Sequence, residues 1–305
     1  MKKLYFIFAV FILLTSCVSK KNQVIKQNIL TLRDSYCKAP FKYNYENKLP
    51  SYNSDSIIAA NQQLKSTFSD QSILVLNALD NLDEVNEIVK LKKDSSLNSQ
   101  VKVLQLKMKI NSKITIALTE LDAVAAEFDC EGERVAQIGN YVDNLNDSRN
   151  NKLILYSIAA GAEGWSSAID ISGGALGAGF GLATLNPKGK KVEFIHQRNL
   201  LRDIWNERLE SPNFPPFIWY MYTEKRFSNK EQHSIISSMK QRWLHYQFDD
   251  DQNKADQSVI FKDGGLYRAD DLHNRAAMLN QMQSATRTIN QIINYLLLDL
   301  DKLIL

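Results

Sequence analysis

The chain has 305 residues, 37 Lys and Arg against 34 Asp and Glu, and a formal net charge of +3. A chain of that length buries one large core or two modest ones. The near balance of charge, with no basic stripe, argues against nucleic acid as a partner. Six Pro and 23% charged residues fit a mostly helical protein.

The first residues, Met1-Lys2-Lys3, are followed by an apolar run from Leu4 to Leu14. A charged start and a short apolar core make a secretory signal. The run ends in Leu14-Thr15-Ser16-Cys17, which resembles the lipobox of bacterial lipoproteins. The resemblance implies cleavage of residues 1–16 and lipidation of Cys17 as the first residue of the mature chain. Val18 follows, not the Asp that marks inner-membrane retention in some members of that class, so the implied destination is the outer membrane. Cleavage removes Lys2 and Lys3 and no acid, and leaves the chain close to neutral.

Val24, Ile25, Ile29, Leu30 and Leu32 have helical spacing and predict a first helix over Gln23 to Ser35. Residues 38–53 hold Pro40, Pro50 and several Tyr and Asn, and read as loop. A helix starts near Ser54-Asp55, carrying Ile57, Ile58 and Leu64. Another starts at Ser69-Asp70, and its apolar residues recur every three or four positions out to Lys93. Asp94-Ser95-Ser96 is a break. Leu104, Leu106, Met108 and Ile110 alternate like a strand, but Val103, Leu106, Ile110 and Ile114 fit a helix and no turn pair intervenes. One long helix over 97–128 is therefore predicted, with Asp129 to Glu133 as an interruption around Gly132. Helical spacing resumes at Val135, Ile138, Val142 and Leu145.

Residues 153–185 form a Gly- and Ala-rich apolar stretch with only Glu163 and Asp170 charged. Gly173, Gly177 and Gly181 recur every fourth residue, and this spacing opens one helical face to close packing. A hairpin turning at Gly173-Gly174 is predicted, buried in a bundle or inserted in a bilayer. Each charge at mid-bilayer costs a few kcal/mol, which counts against a simple span. Glu163 and Asp170 share a helical face, where two buried acids share a proton, bind a cation or pair with an Arg. Basic residues bracket the stretch: Arg149 and Lys152 before it, Lys188, Lys190 and Lys191 after it.

Residues 192–195 read as a short strand and 200–205 as a short helix. Ser211 to Pro216 breaks the chain before the aromatic block Phe217 to Tyr222, read as a small core or as a carbohydrate-binding groove. A helix over 230–247 follows, with Ile235, Ile236, Met239, Trp243 and Leu244 inward. A strand lies in 259–266 with a turn at Gly264-Gly265, and a final helix runs from Asp270-Asp271 almost to the end. The fold class is mostly α: an elongated helical bundle with a central apolar hairpin and a small irregular α(+β) subdomain. The expected divisions are 1–16 as signal, 17–53 as anchor, short helix and loop, 54–185 as bundle, 186–268 as subdomain and 269–305 as a helix closing the bundle.

Cys37 and Cys130 remain after lipidation, and an oxidising compartment permits them to pair. Closing that loop stabilises a fold by about 4–5 kcal/mol in the chain-entropy model. The four His, at 196, 233, 245 and 273, form no HExxH or HxH pattern. GxSxG and phosphate-loop motifs are missing, so no catalytic residue, metal or cofactor is assigned. The sequence points to a lipid-anchored, non-catalytic interaction or scaffold protein of the bacterial envelope, partnered by another envelope protein or by itself. The alternative is a membrane-active protein that inserts the Gly-rich hairpin.

Overall fold

The structure, a computed structural model, describes residues 24–25, 49–162, 189–196, 198–228 and 231–304. It is mostly α with a small sheet. The chain divides into two compact units. The first comprises residues 1–35, 134–197 and 262–275, the second 36–133, 198–261 and 276–305.

The second unit is helical. α1 (Ser54–Ala60) begins where Asn53 Oδ1 accepts the Ser56 N–H at 3.0 Å. α2 (Asp70–Ala78) begins where Ser69 Oγ accepts the Ser72 N–H at 3.0 Å. Both are Asn/Ser caps that satisfy amides a helix start leaves open. The apolar stripe starting at Ser69 is not one helix out to Lys93. Asp80 turns left-handed at φ 53°, and the Asn81 N–H reaches back to the Leu76 carbonyl at 2.8 Å. That 6→1 bond ends α2 in a Schellman turn, and α3 (Leu82–Leu91) starts afresh. The break at 94–96 is where the sequence places it: Asp94 accepts from Ser96 and Ser99 side chains at 2.9 and 2.6 Å.

α4 (Leu97–Ala162) then runs unbroken through Gly132, with residues 97–133 in the second unit and 134–162 in the first. Gly132 is no interruption, and it packs beside the last helix of the chain. A Cβ there would lie 2.7 Å from Asn280 Oδ1 and 3.5 Å from Leu279 Cβ. α5 (Leu200–Asn206), α6 (Pro216–Thr223), α7 (Ile235–Phe248) and α8 (Gln252–Gln257) complete the unit with most of α9 (Ala269–Ile304). α6 has Pro at its first position, where no N–H is needed. α7 starts later than 230 because Ser234 Oγ caps it through the Ser237 N–H at 3.1 Å.

α9 supplies the unit with a buried face, including Leu279, Met282, Ile289, Ile293 and Leu296. Polar ties fix its register. Trp243 Nε1 donates to Gln281 Oε1 at 2.9 Å. Thr286 donates to the Met282 carbonyl and so accepts from the Tyr222 hydroxyl. Near the C-terminus Asp299 accepts from the Ser69 N–H and the Ser72 hydroxyl at 3.1 and 2.7 Å.

The first unit holds a three-stranded sheet in the order β1-β2-β3. β1 (Val24–Ile25) is parallel to β2 (Lys191–Ile195), which is antiparallel to β3 (Gly264–Tyr267). Val24 and Ile25 are therefore strand, where a helix from Gln23 was predicted. Both are β-branched residues that suit a pleated ladder, and β2 offers them an edge. Gly264 and Gly265 are strand too, not a turn. Their φ angles of 149° and 155° are open to Gly and rarely to other residues.

Asp299 is expected to contribute measurably to stability. Burial pushes its carboxyl up, but Lys302, Ser72 and the Ser69 N–H together hold it below the ordinary carboxylate range. Asp299→Ala leaves the buried Ser72 hydroxyl without an acceptor, a loss of about 1–3 kcal/mol. A carboxyl lowered on folding stabilises at pH above its unfolded value, and that gain fades as pH falls through the folded value. Urea denaturation of wild type and variant should therefore converge on acidification.

Candidate interaction surface

α4 carries apolar residues on two faces. The first is Leu106, Ile110, Ile114, Ala117, Leu121, Val124 and Phe128, all buried. The second is Leu97, Val101, Leu104 and Met108, which step by four, three and four residues and fall within an arc of about 60° at 100° per residue. These are uncovered: Leu97 is 74%, Leu104 59% and Met108 65% exposed. Ile116, also exposed, stands about one turn beyond Asn111 and Ser112.

The surroundings of this second face are uncharged. Asn98, Gln100, Gln105, Asn111, Ser112 and Thr115 are exposed beside it. No Asp or Glu occurs from Ser95 to Thr119. Lysines lie toward the flanks, and α3 and its neighbours hold three of them. Lys109 pairs with Glu84, Lys113 with Asp80 at 3.1 Å, and Lys102 lies 4.0 Å from Glu87. Glu84 is lowered in pKa: burial raises it, and Lys109 overcomes that by hydrogen bond and charge. These pairs anchor the lysine-bearing side of α4 to its own unit and leave the uncharged side outward. Clustered exposed apolar side chains of this kind mark contact surfaces.

The groups with catalytic potential divide between interior and surface. Within the first unit His196 is buried, and its Nε2 lies 2.7 Å from the Tyr267 hydroxyl. Burial, with Arg275 and Arg134 nearby, pushes its pKa down to about 2, so the ring is neutral. Phe194 packs on the same ring, and Arg134 covers Phe194 at 4.8 Å. His273 pairs with Asp143 at 2.7 Å and rests on Gly139, where a Cβ would meet the ring at 2.9 Å. Within the second unit Glu127 meets Arg198 at 2.6 Å. Burial pushes the Glu127 carboxyl up to about 7; Arg198 opposes that rise and Glu131 adds to it. His245 is exposed beside Asp250, and His233 is exposed. Among the described residues no group of three His, Cys, Asp or Glu side chains is arranged to hold a metal ion.

The aromatic block is core, which overturns its reading as a carbohydrate groove. Trp219 and Tyr220 are both only 2% exposed. Phe214 stacks on Trp219 at 5.0 Å and meets Phe128 of α4 at 6.0 Å. Trp219 Nε1 donates to the Arg208 carbonyl at 3.1 Å, so the indole has its partner inside.

Of the residues singled out from sequence, Cys17, Cys37, Glu163, Asp170, Gly173, Gly177 and Gly181 lie outside the described residues. Cys130 lies on α4 and is not a free residue. Residues 153–162 of the apolar stretch continue α4. No helix among the described residues is long and apolar enough to cross a membrane. Comparison with protein-family models, curated proteins and solved structures finds no match.

Two outcomes follow. Leu104→Glu, on the outer face, should leave thermal stability within about 0.5 kcal/mol of wild type. Leu106→Glu, two residues on and buried, should destabilise severely because it buries an unpaired charge; thermal denaturation compares them. The His196 ring takes up no proton in the folded state until about pH 2, whereas an unfolded His titrates near pH 6.5. The unfolded chain therefore binds the extra proton, and stability falls as pH drops below about 6.5. His196→Gln should flatten that part of the stability–pH curve in denaturant titrations.

Proposed function

We propose that this chain is a lipid-anchored, non-catalytic interaction or scaffold protein of the bacterial cell envelope. The observation that carries the reading is the exposed apolar stripe Leu97, Val101, Leu104 and Met108, presented outward by a helix whose opposite side is packed into its own unit. A folded domain gains little by leaving that much apolar surface in water unless a partner covers it. The lipobox Leu14-Thr15-Ser16-Cys17 supports the anchor, and Val18 supports the outer membrane as its address. In this reading residues 1–16 are removed, Cys17 takes the lipid, and Cys37 pairs with Cys130 in an oxidising compartment. Gly173, Gly177 and Gly181 serve close helix packing.

Metabolic labelling with a clickable fatty acid tests the anchor. Wild type should take up label and fractionate with membranes, and Cys17→Ser should do neither. Equal labelling of both chains, or none of either, contradicts the proposed anchor.

A further inference from the structure

We infer that the end of the sheet where the N-terminal tether arrives docks on an anionic phospholipid surface through Lys190, Lys191 and Arg268. The inference rests on the lipid anchor proposed at Cys17, and it names what that anchor brings to the membrane. Chain length sets the first constraint. Seven Cα steps separate Cys17 from Val24, where β1 begins. An extended chain spans at most about 3.6 Å per step, so the entry to β1 lies within about 25 Å of an acylated Cys17.

Sheet topology then decides which residues share that end. β1 is parallel to β2, with Val24 paired to Lys191. The tether therefore enters where β2 begins, at Lys190 and Lys191. β3 is antiparallel, with Tyr267 paired to Val192. Arg268 follows one step out at the same end, opposite Lys191. Arg268 is exposed and both lysines are part-exposed. Like charges opposite each other across strands are destabilising, and an anionic surface over both relieves that cost. Acids stand near as well. Asp271 accepts the Arg268 N–H at 2.9 Å, and Asp270 shares its helical turn. Glu193 is two residues along β2. Asn146 accepts the Lys190 N–H at 2.9 Å, which brings Asp147 of α4 close.

The wider charge distribution decides the sign. Counted from Cys17, the first unit carries 13 Lys and Arg against nine Asp and Glu, and the second carries 22 against 25. The unit that bears the anchor is thus the one an anionic surface attracts. Lys20 and Lys21, three and four residues after Cys17, stay within about 15 Å of the acylated residue whatever path the tether takes. Each Lys or Arg near an anionic membrane raises partitioning by about fivefold. Docking is therefore weak for the sheet end alone, and the tether makes it effective by holding that end close.

Lysine acetylation of the full lipidated chain tests the inference, with rates read by mass spectrometry. The chain is reconstituted in vesicles of phosphatidylcholine, alone or with phosphatidylglycerol. Lys190 and Lys191 should react about fivefold or more slowly on the anionic vesicles. Lys254 of the second unit, which pairs with Asp249, should react alike on both. Salt at about 0.5 M should erase the difference by screening. Arg268→Glu should weaken the protection of Lys191 severalfold, and circular dichroism should show the variant folded, because residue 268 is exposed. Equal rates for Lys190 and Lys191 on the two vesicles, protection that survives salt, or protection indifferent to Arg268→Glu overturns the inference. Flotation reads the anchor separately. A chain that floats with neutral vesicles but gains no protection on anionic ones keeps the anchor and loses the docking. A chain that floats only with anionic vesicles keeps the docking and loses the anchor, and one that floats with neither loses both.

Discussion

The second unit depends on the burial of one face of α9. From Leu279 to Leu296 that face is closed to solvent. Hydrogen bonds from three other helices fix its register: Trp243 to Gln281, Tyr222 to Thr286, and Ser72 to Asp299. Position 132 of α4 lies against it, with the exposed Asn280 side chain and Leu279 beside the glycine. The hydrophobic term supplies the drive, and the buried polar ties select one register among the several that a Leu-, Ile- and Met-rich helix allows. Each tie is costly to break because its partner is left unsatisfied inside.

Once α9 and the aromatic core of Trp219, Tyr222 and Phe214 are in place, α4 has a defined inner side. Phe128 joins that core, and Leu106 to Val124 continue the buried row. Salt bridges from α3 and from Asp80 hold its lysine flank. The remaining side, with Leu97, Val101, Leu104 and Met108, has no role in this unit. Its lack of charge is the informative property. A solvated helix face is usually charged, whereas this one exposes apolar side chains among amides and hydroxyls.

Much of the helical order was legible in the sequence. The helix starts near Ser54-Asp55 and at Ser69-Asp70, the break at Asp94-Ser95-Ser96, the short helix at 200–205 and the last helix from Asp270 follow from side-chain oxygens and apolar spacing, although Asn53, not Ser54, caps the first. The errors have physical causes. Asp80 ends a helix in a left-handed turn with no Gly to announce it. Val24 and Ile25 have helical spacing but pair with β2, because a partner strand outweighs local propensity. The Gly pair at 264–265 marks extended backbone open mainly to Gly rather than a reversal. The outer face of α4 was visible but disguised. Two apolar stripes on one helix, through Leu104 and Met108 and through Leu106 and Ile110, alternate in sequence and imitate a strand. Only burial separates the row that faces inward from the row that faces out.

Oxidative footprinting of the methionines tests the central claim most directly. Met108 is 65% exposed, whereas Met278 and Met282 are fully buried. In dilute full-length protein Met108 should oxidise far faster than the other two. Met108 as slow as Met282 at every dilution would mean that the chain covers this face itself, and the account of an outward docking face would be contradicted.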